Sequence, residues 1–166
     1  MPLLSDATED DLPGILAIFN DVIANTTAVY REQPVTLEER RSWMQSRIAQ
    51  GYPVLVARDS RSVVGFASFG EFRAWPCYRN TVEHTVHVRA DSRGCGIGRS
   101  LLEALLPRAQ GLGKHVVVAG IDGDNAVSMR LHQRFGFLEV GRFREVGRKF
   151  DRWLDLVFMQ RFLDQG

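Results

Sequence analysis

One stretch near the middle of the chain limits its fold more than any other. Thr81-Val82-Glu83-His84-Thr85-Val86-His87-Val88 favours a half-buried strand. The polar link Arg89-Ala90-Asp91-Ser92 follows, and Arg93-Gly94-Cys95-Gly96-Ile97-Gly98 then opens a helix whose Ile97, Leu101, Leu102, Leu105 and Leu106 recur at helical spacing. Alternate glycines at a helix mouth leave backbone N–H groups free to close on an anion, which the helix dipole also attracts. A phosphate or pyrophosphate is the expected guest, and a glycine-rich helix entry without a ligand is the plainer alternative.

The spacing decides between phosphate sites. The run reads G-x-G-x-G where a dinucleotide fingerprint needs G-x-G-x-x-G, and Gly98 is followed by Arg99-Ser100 where a P-loop needs Lys-Ser/Thr. It does carry Arg-x-x-Gly-x-Gly, with Arg93, Gly96 and Gly98 at the fixed places and a Val-x-Val strand just before. That pattern resembles the acetyl-CoA signature of the GNAT N-acetyltransferase superfamily.

At 166 residues and 45% hydrophobic, the chain is long enough to bury one core, and a single domain over 1–166 is expected. The 21 basic and 20 acidic residues nearly cancel, which disfavours nucleic acid as a partner, and no long apolar run suggests a membrane span. Asp6, Glu9, Asp10 and Asp11 break any signal-peptide pattern. Cys77 and Cys95 are isolated and make neither a disulfide framework nor a zinc site, so the cytoplasm is the expected compartment and no metal is expected.

Along the chain, Pro2 to Ala7 reads as a short strand. Thr8 caps a helix with Leu12, Ile15, Leu16, Phe19, Val22 and Ile23 on one face. Asn25 to Tyr30 is a loop, either bordering a substrate pocket or simply connecting. Thr36 and Glu39 form a capping box for a second helix running to about Gln50. Val54–Ala57 and Val63–Phe69 make a hairpin. The irregular, aromatic segment Glu71 to Tyr78 carries Arg73 and is either a plain surface loop or a clamp whose guanidinium fork pairs with a small carboxylate. Pro107 is expected to kink or end the central helix. Lys114–Ala119 reads as an interior strand, and Asp122 and Asp124 fall in a following loop that lacks the other ligands of a calcium site. Asn125 begins a helix with Val127, Leu131 and Phe135 on one face, ended by Gly136, and two strands follow, about 137–146 and 148–162. The order is β-α-α-β-β-β-α-β-α-β-β, a mixed α/β domain.

That order, with Asn125-Ala126-Val127-Ser128-Met129-Arg130-Leu131-His132 and the closing Gly136-Phe137, extends the GNAT resemblance over most of the chain. Asn25-Thr26-Thr27-Ala28, Phe72-Arg73, Thr81 to Val86, Leu131-His132 and Gly147 to Asp155 are similar to the branch that acetylates phosphinothricin, methionine sulfone and methionine sulfoximine. The resemblance implies a mostly antiparallel, twisted sheet of about seven strands with about four helices. It implies acetyl-CoA as co-substrate, its pantetheine paired with the backbone of Val86, His87 and Val88, its pyrophosphate cradled by Gly94, Cys95, Gly96, Ile97, Gly98 and Arg99, and Asn125 beside the pantetheine arm. Arg73, Ala74 and Trp75 would face the substrate, as would Glu83, His84 and Thr85. A homodimer is also implied. Phe150 and Leu154 stand where phosphinothricin-preferring relatives tend to carry histidine, which tilts the expectation toward the methionine analogues.

The chemistry narrows the roles. An amino acid's amine is largely protonated at neutral pH, so acetyl transfer needs a base, and positioned bases contribute ~10²–10⁴-fold. Glu83, three residues before the proposed cofactor strand, is the candidate; plain strand alternation puts Glu83, Thr85 and His87 on one face, and an exposed carboxylate on that face is the plainer alternative. His132 stands where many relatives have a tyrosine that protonates the departing thiolate, and it is the candidate acid, although a histidine there can also merely hydrogen-bond. Cys95 lacks a neighbouring base or second thiol, so transfer is expected to go directly to the amine. The rival functions are a protein N-terminal acetyltransferase and a non-catalytic acyl-CoA-binding module.

Overall fold

The computed structural model describes residues 2–60 and 62–163. Seven strands form one sheet: β1 (Leu3–Asp6), β2 (Val54–Arg58), β3 (Val63–Glu71), β4 (Thr81–Val88), β5 (Val116–Asp122), β6 (Leu138–Lys149) and β7 (Arg152–Phe162). Their order across the sheet is β1-β2-β3-β4-β5-β7-β6, and every pair is antiparallel except β4 with β5. The helices are α1 (Leu12–Asn25), α2 (Leu37–Ala49), α3 (Ile97–Gly111) and α4 (Ala126–Arg134). The expected order and the mostly antiparallel seven-stranded sheet are both present.

Each face of the sheet carries its own core. On one, Ile97, Leu101 and Leu105 of α3 pack on Val82, Val117, Ala119 and Val157. On the other, Leu12, Ile15 and Ile18 of α1 and Met44 of α2 pack on Val54, Val56 and Phe66. Alternation along β4 follows: Val82, His84, Val86 and Val88 face α3, while Glu83, Thr85 and His87 face α1 and α2.

Four expectations need correction. Pro107 lies inside α3 without ending it. The carbonyl it deprives of a partner belongs to Glu103, and both residues are exposed, so water can satisfy that carbonyl. β5 runs on through Gly120 to Asp122 because it pairs with β7 all the way, Asp122 opposite Leu156. On α4, Val127 is exposed and His132 is the buried residue. The last hairpin turns at Phe150-Asp151, not near Gly147: Lys149 pairs with Arg152, and the two residues between have φ of 51° and 57°. That is the backbone of a two-residue hairpin turn, built without the glycine that would have marked it.

Candidate active site

The parallel pair at the centre of the sheet is short. β4 and β5 are in register only from Thr81 opposite Val116 to Glu83 opposite Val118. Beyond Glu83 the strands diverge, so the backbone of Val86, His87 and Val88 presents hydrogen-bonding groups to a gap inside the sheet. An extended amide-bearing chain can pair there as an added strand.

The mouth of α3 lies at the far end of the same strand. Gly94 and Gly96 have φ of 76° and 81°, a left-handed backbone that favours glycine, with nothing within 4 Å of where a Cβ would stand. The first turn of α3 has no acidic side chain and its N-cap, Gly96, makes no side-chain cap bond. Its amides are therefore available to an anion. Arg93 turns back to the strand, its Nε donating to the Val88 carbonyl at 3.2 Å. Arg99 is exposed and pairs with Glu103, and Cys95 is exposed. Asn125 caps α4, its side-chain oxygen accepting from the Ser128 N–H at 3.0 Å, and its amide NH₂ has no partner among the described residues.

Glu83 sits where the strands part. A Cβ built on Gly120 would lie 3.0 Å from the Glu83 carboxylate oxygen Oε1, 3.6 Å from Leu156 and 3.7 Å from Phe158. The carboxylate and two apolar side chains therefore converge over a residue with no side chain. Phe158 meets Phe72 at 6.5 Å and Phe143 at 5.9 Å between ring centroids, and Phe72 meets Tyr78 at 5.9 Å, giving the site an aromatic wall. Arg73 lies over Phe72, 4.5 Å from guanidinium carbon to ring centre. Desolvation raises the Glu83 carboxyl above its ordinary pKa, against the lowering effect of Arg73 and Arg47. A carboxylate so raised is the better proton acceptor.

The loop after α1 borders this face of the sheet. The Thr27 hydroxyl donates to buried Asp122, two residues beyond Gly120, and the Tyr30 hydroxyl lies against the Asp155 carbonyl. Lys149, only 2% exposed, donates to the carbonyls of Ile23, Thr26 and Val29 at 2.6, 2.8 and 2.9 Å. That ammonium fixes the end of α1 and the start of the loop.

Two expected site residues, His84 and His132, lie together on the opposite face of the sheet from Glu83. His84 points to the α3 face, away from Glu83 and Thr85, and its Nε2 lies 2.9 Å from Nε2 of His132. His132 Nδ1 is 2.7 Å from the Ser128 carbonyl, so Nδ1 must carry a proton and donate it. Nε2 of His132 is then the acceptor in the neutral ring, taking the proton of His84 Nε2. Burial pulls the His84 pKa down to about 3 and also lowers that of His132, so the pair is neutral at physiological pH. A neutral His132 bonded in this way has no free proton for a leaving group, which removes the geometric basis for its role as an acid. Ala74 and Trp75 are exposed, the latter 76%. His87 packs between Phe19 and Phe66, its pKa pulled to about 4 by desolvation and then by the charges of Arg40 and Arg93.

Comparison with known proteins gives the family. The model of the acetyltransferase (GNAT) family matches residues 15–137. The chain belongs to the GNAT family. It is 52% identical over 162 residues to the L-methionine sulfoximine/L-methionine sulfone acetyltransferase of Pseudomonas aeruginosa, covering 97% of this chain and 94% of that one. Among solved structures, it resembles a ribosomal-protein-alanine N-acetyltransferase from Brucella melitensis, with 48% identity, a TM-score of 0.95 and coverage of 97% and 99%. It also resembles a GNAT superfamily phosphinothricin acetyltransferase from Sinorhizobium meliloti in complex with acetyl-CoA, with 37% identity, a TM-score of 0.96 and coverage of 99% and 90%. This GNAT chain is thus an acetyltransferase by family, and its substrate is a question for the Glu83 site.

Proposed function

We propose that this enzyme transfers the acetyl group of acetyl-CoA to the α-amine of a small amino-acid analogue, with methionine sulfone and methionine sulfoximine preferred over phosphinothricin. The observation that carries the reading is the half-buried Glu83 carboxylate at the parting of β4 and β5, walled by Leu156, Phe158 and Phe72. A thioether-derived side chain suits that wall, and Arg73 beside Phe72 suits oxygens at the side chain's far end. The relative from Pseudomonas is named for the two methionine analogues, and the chain from Sinorhizobium for phosphinothricin.

The residues present fit acetyl-CoA. The edge of β4 at Val86, His87 and Val88 that faces away from β3, beyond its pairing with β5, would take its pantetheine, the amides from Gly94 to Arg99 its pyrophosphate, and Asn125 its arm. When bound, it supplies an activated acetyl thioester. Glu83 would take the proton from the substrate ammonium, directly or through one water, and the neutral amine would then be the nucleophile. The aromatic wall would exclude bulk water from that amine. His84 and His132 would act as a buried brace between β4 and α4, with the thiolate protonated by solvent. We also infer that the enzyme is a homodimer, on the strength of the exposed apolar side chains of β6 and β7.

A thiol-release assay tests the reading. Wild type is expected to turn over methionine sulfone and methionine sulfoximine, and Glu83→Gln to lose ~10²–10⁴-fold in kcat while binding acetyl-CoA as before. An undiminished Glu83→Gln enzyme would remove the base. Turnover of an N-terminal alanine peptide alone would favour the second reading, a protein N-terminal acetyltransferase, which rests on the name of the Brucella structure.

A further inference from the structure

Arg47 on α2 plays no part in the reading above, yet its guanidinium reaches the Glu83 site. It lies across Gly70 of β3, where a Cβ would fall inside the guanidinium group. Gly70 is the residue paired with Glu83 across β3 and β4. Directly opposed residues of an antiparallel pair share a face and stand about 4.5–5.5 Å apart at Cα. Arg47 therefore occupies the slot beside Glu83 on the face that Gly120 leaves open.

The guanidinium is poorly satisfied where it sits. Among the described residues the Arg47 side chain makes no hydrogen bond and no ion pair, and its Nε is shielded from solvent without a partner. Burial lowers its pKa, opposed by Tyr52, Glu71 and Glu83. Arg40, about two turns earlier on the same face of α2, makes the contrast: its Nε is equally unpartnered, but its guanidinium lies between the rings of Phe19 and Trp43 at 4.0 and 4.2 Å. Arg40 is held by aromatic faces. Arg47 has no such support, and a half-buried cation without a partner is costly unless something else pairs with it.

We propose that Arg47 binds the α-carboxylate of the substrate, an assignment that rests on the small-amino-acid reading of the Glu83 site. In an α-amino acid the ammonium and the carboxylate share one carbon. Whatever holds the carboxylate must therefore stand beside whatever takes the ammonium proton, and Arg47 stands beside Glu83. A guanidinium fork meets both carboxylate oxygens, which fixes the amine's direction as well as its position. Arg73, exposed on the loop over Phe72, is left for the polar end of the substrate side chain. The two arginines thus divide the substrate's two polar ends, with the aromatic wall between them.

The test removes the carboxylate from the substrate as well as the arginine from the enzyme. Methionine sulfone and its decarboxylated amine, 3-(methylsulfonyl)propan-1-amine, are assayed with wild type, Arg47→Gln, Arg47→Lys and Gly70→Ala. Arg47→Gln is expected to lose ~10²-fold in kcat/KM on methionine sulfone, mostly through KM, and to change less than about threefold on the amine. Gly70→Ala keeps the charge but displaces the guanidinium, and should show the same selective loss. Arg47→Lys should recover part of it. Unchanged acetyl-CoA affinity by calorimetry reports that each variant is folded. Equal losses on both substrates would overturn the assignment and leave Arg47 a structural residue. Wild-type failure on every amino-acid analogue would overturn the substrate reading itself, and the assignment with it.

Discussion

Glu83 shows how one side chain's surroundings set both activity and stability. Desolvation raises its carboxyl pKa despite two nearby guanidiniums, so the ionised form is disfavoured by folding. The catalytically competent carboxylate then appears only above that raised value, and the acid limb of kcat/KM should lie above the ordinary glutamate range of about 4.3. The stability consequence has the opposite sign. A carboxyl raised on folding costs nothing below its unfolded pKa and destabilises as pH rises through its folded pKa. Glu83→Gln should therefore melt higher than wild type at pH 7, with the difference closing below about pH 4. Equal melting temperatures across that range would mean that Glu83 is not desolvated. The buried histidines make a separate prediction. Because His84 and His132 are neutral and bonded to one another, His132→Asn should lower thermal stability, cost less than about tenfold in kcat and leave the pH profile in place. A loss of ~10²-fold with a displaced basic limb would restore the general acid.

At the scale of elements, the loop over the site is held by β6. Lys149→Met would strip three backbone carbonyls of a charged donor, two of them at or just beyond the end of α1. A loss of about 2–4 kcal/mol in unfolding free energy is expected, with a raised KM for the amino-acid substrate and unchanged acetyl-CoA affinity. Denaturant melts and the thiol assay measure both. Such long-range ties explain what the sequence could and could not tell. The strand, glycine turn and helix from Thr81 onward were legible because hydrophobic period and left-handed glycines are local signals. Alternation correctly set Glu83 and Thr85 on one face, and it also set His84 on the other, which the motif resemblance had obscured. Arg47 was not legible, since nothing local joins α2 to β4. Its mark was the pair of glycines at 70 and 120, each interrupting an apolar strand, and such interruptions point to a close approach. The Phe150-Asp151 turn was missed for the opposite reason: its left-handed residues are not glycines.

On the scale of the whole molecule, the sheet ends in a strand that a lone chain leaves bare. Leu138, Val140, Phe143 and Val146 of β6 are each at least 54% exposed, and Phe150 and Trp153 continue the apolar row around the turn. Each such side chain gains about 1.5–3 kcal/mol on full burial, which a second copy covering this edge would set against the entropy of association. The row also leads inward. Phe143 touches Phe158, and Phe158 stands over Gly120 beside the Glu83 carboxylate. Covering β6 would thus fix the outer end of the aromatic wall against which the substrate rests. Association and substrate binding should then fail together. Phe143→Glu with Val146→Glu places two charges on the bare strand, and sedimentation should show a monomer where wild type is a dimer at micromolar concentration. The monomer should keep its acetyl-CoA affinity, because the α3 mouth and the gap beside β4 lie in the centre of the sheet, while its KM for methionine sulfone rises about tenfold or more. A wild type that sediments as a monomer at 100-fold higher concentration, ~10⁻⁴ M, would defeat the dimer by leaving it weaker than about 5.5 kcal/mol of association. A monomeric variant with an unchanged KM would instead separate the dimer from the site.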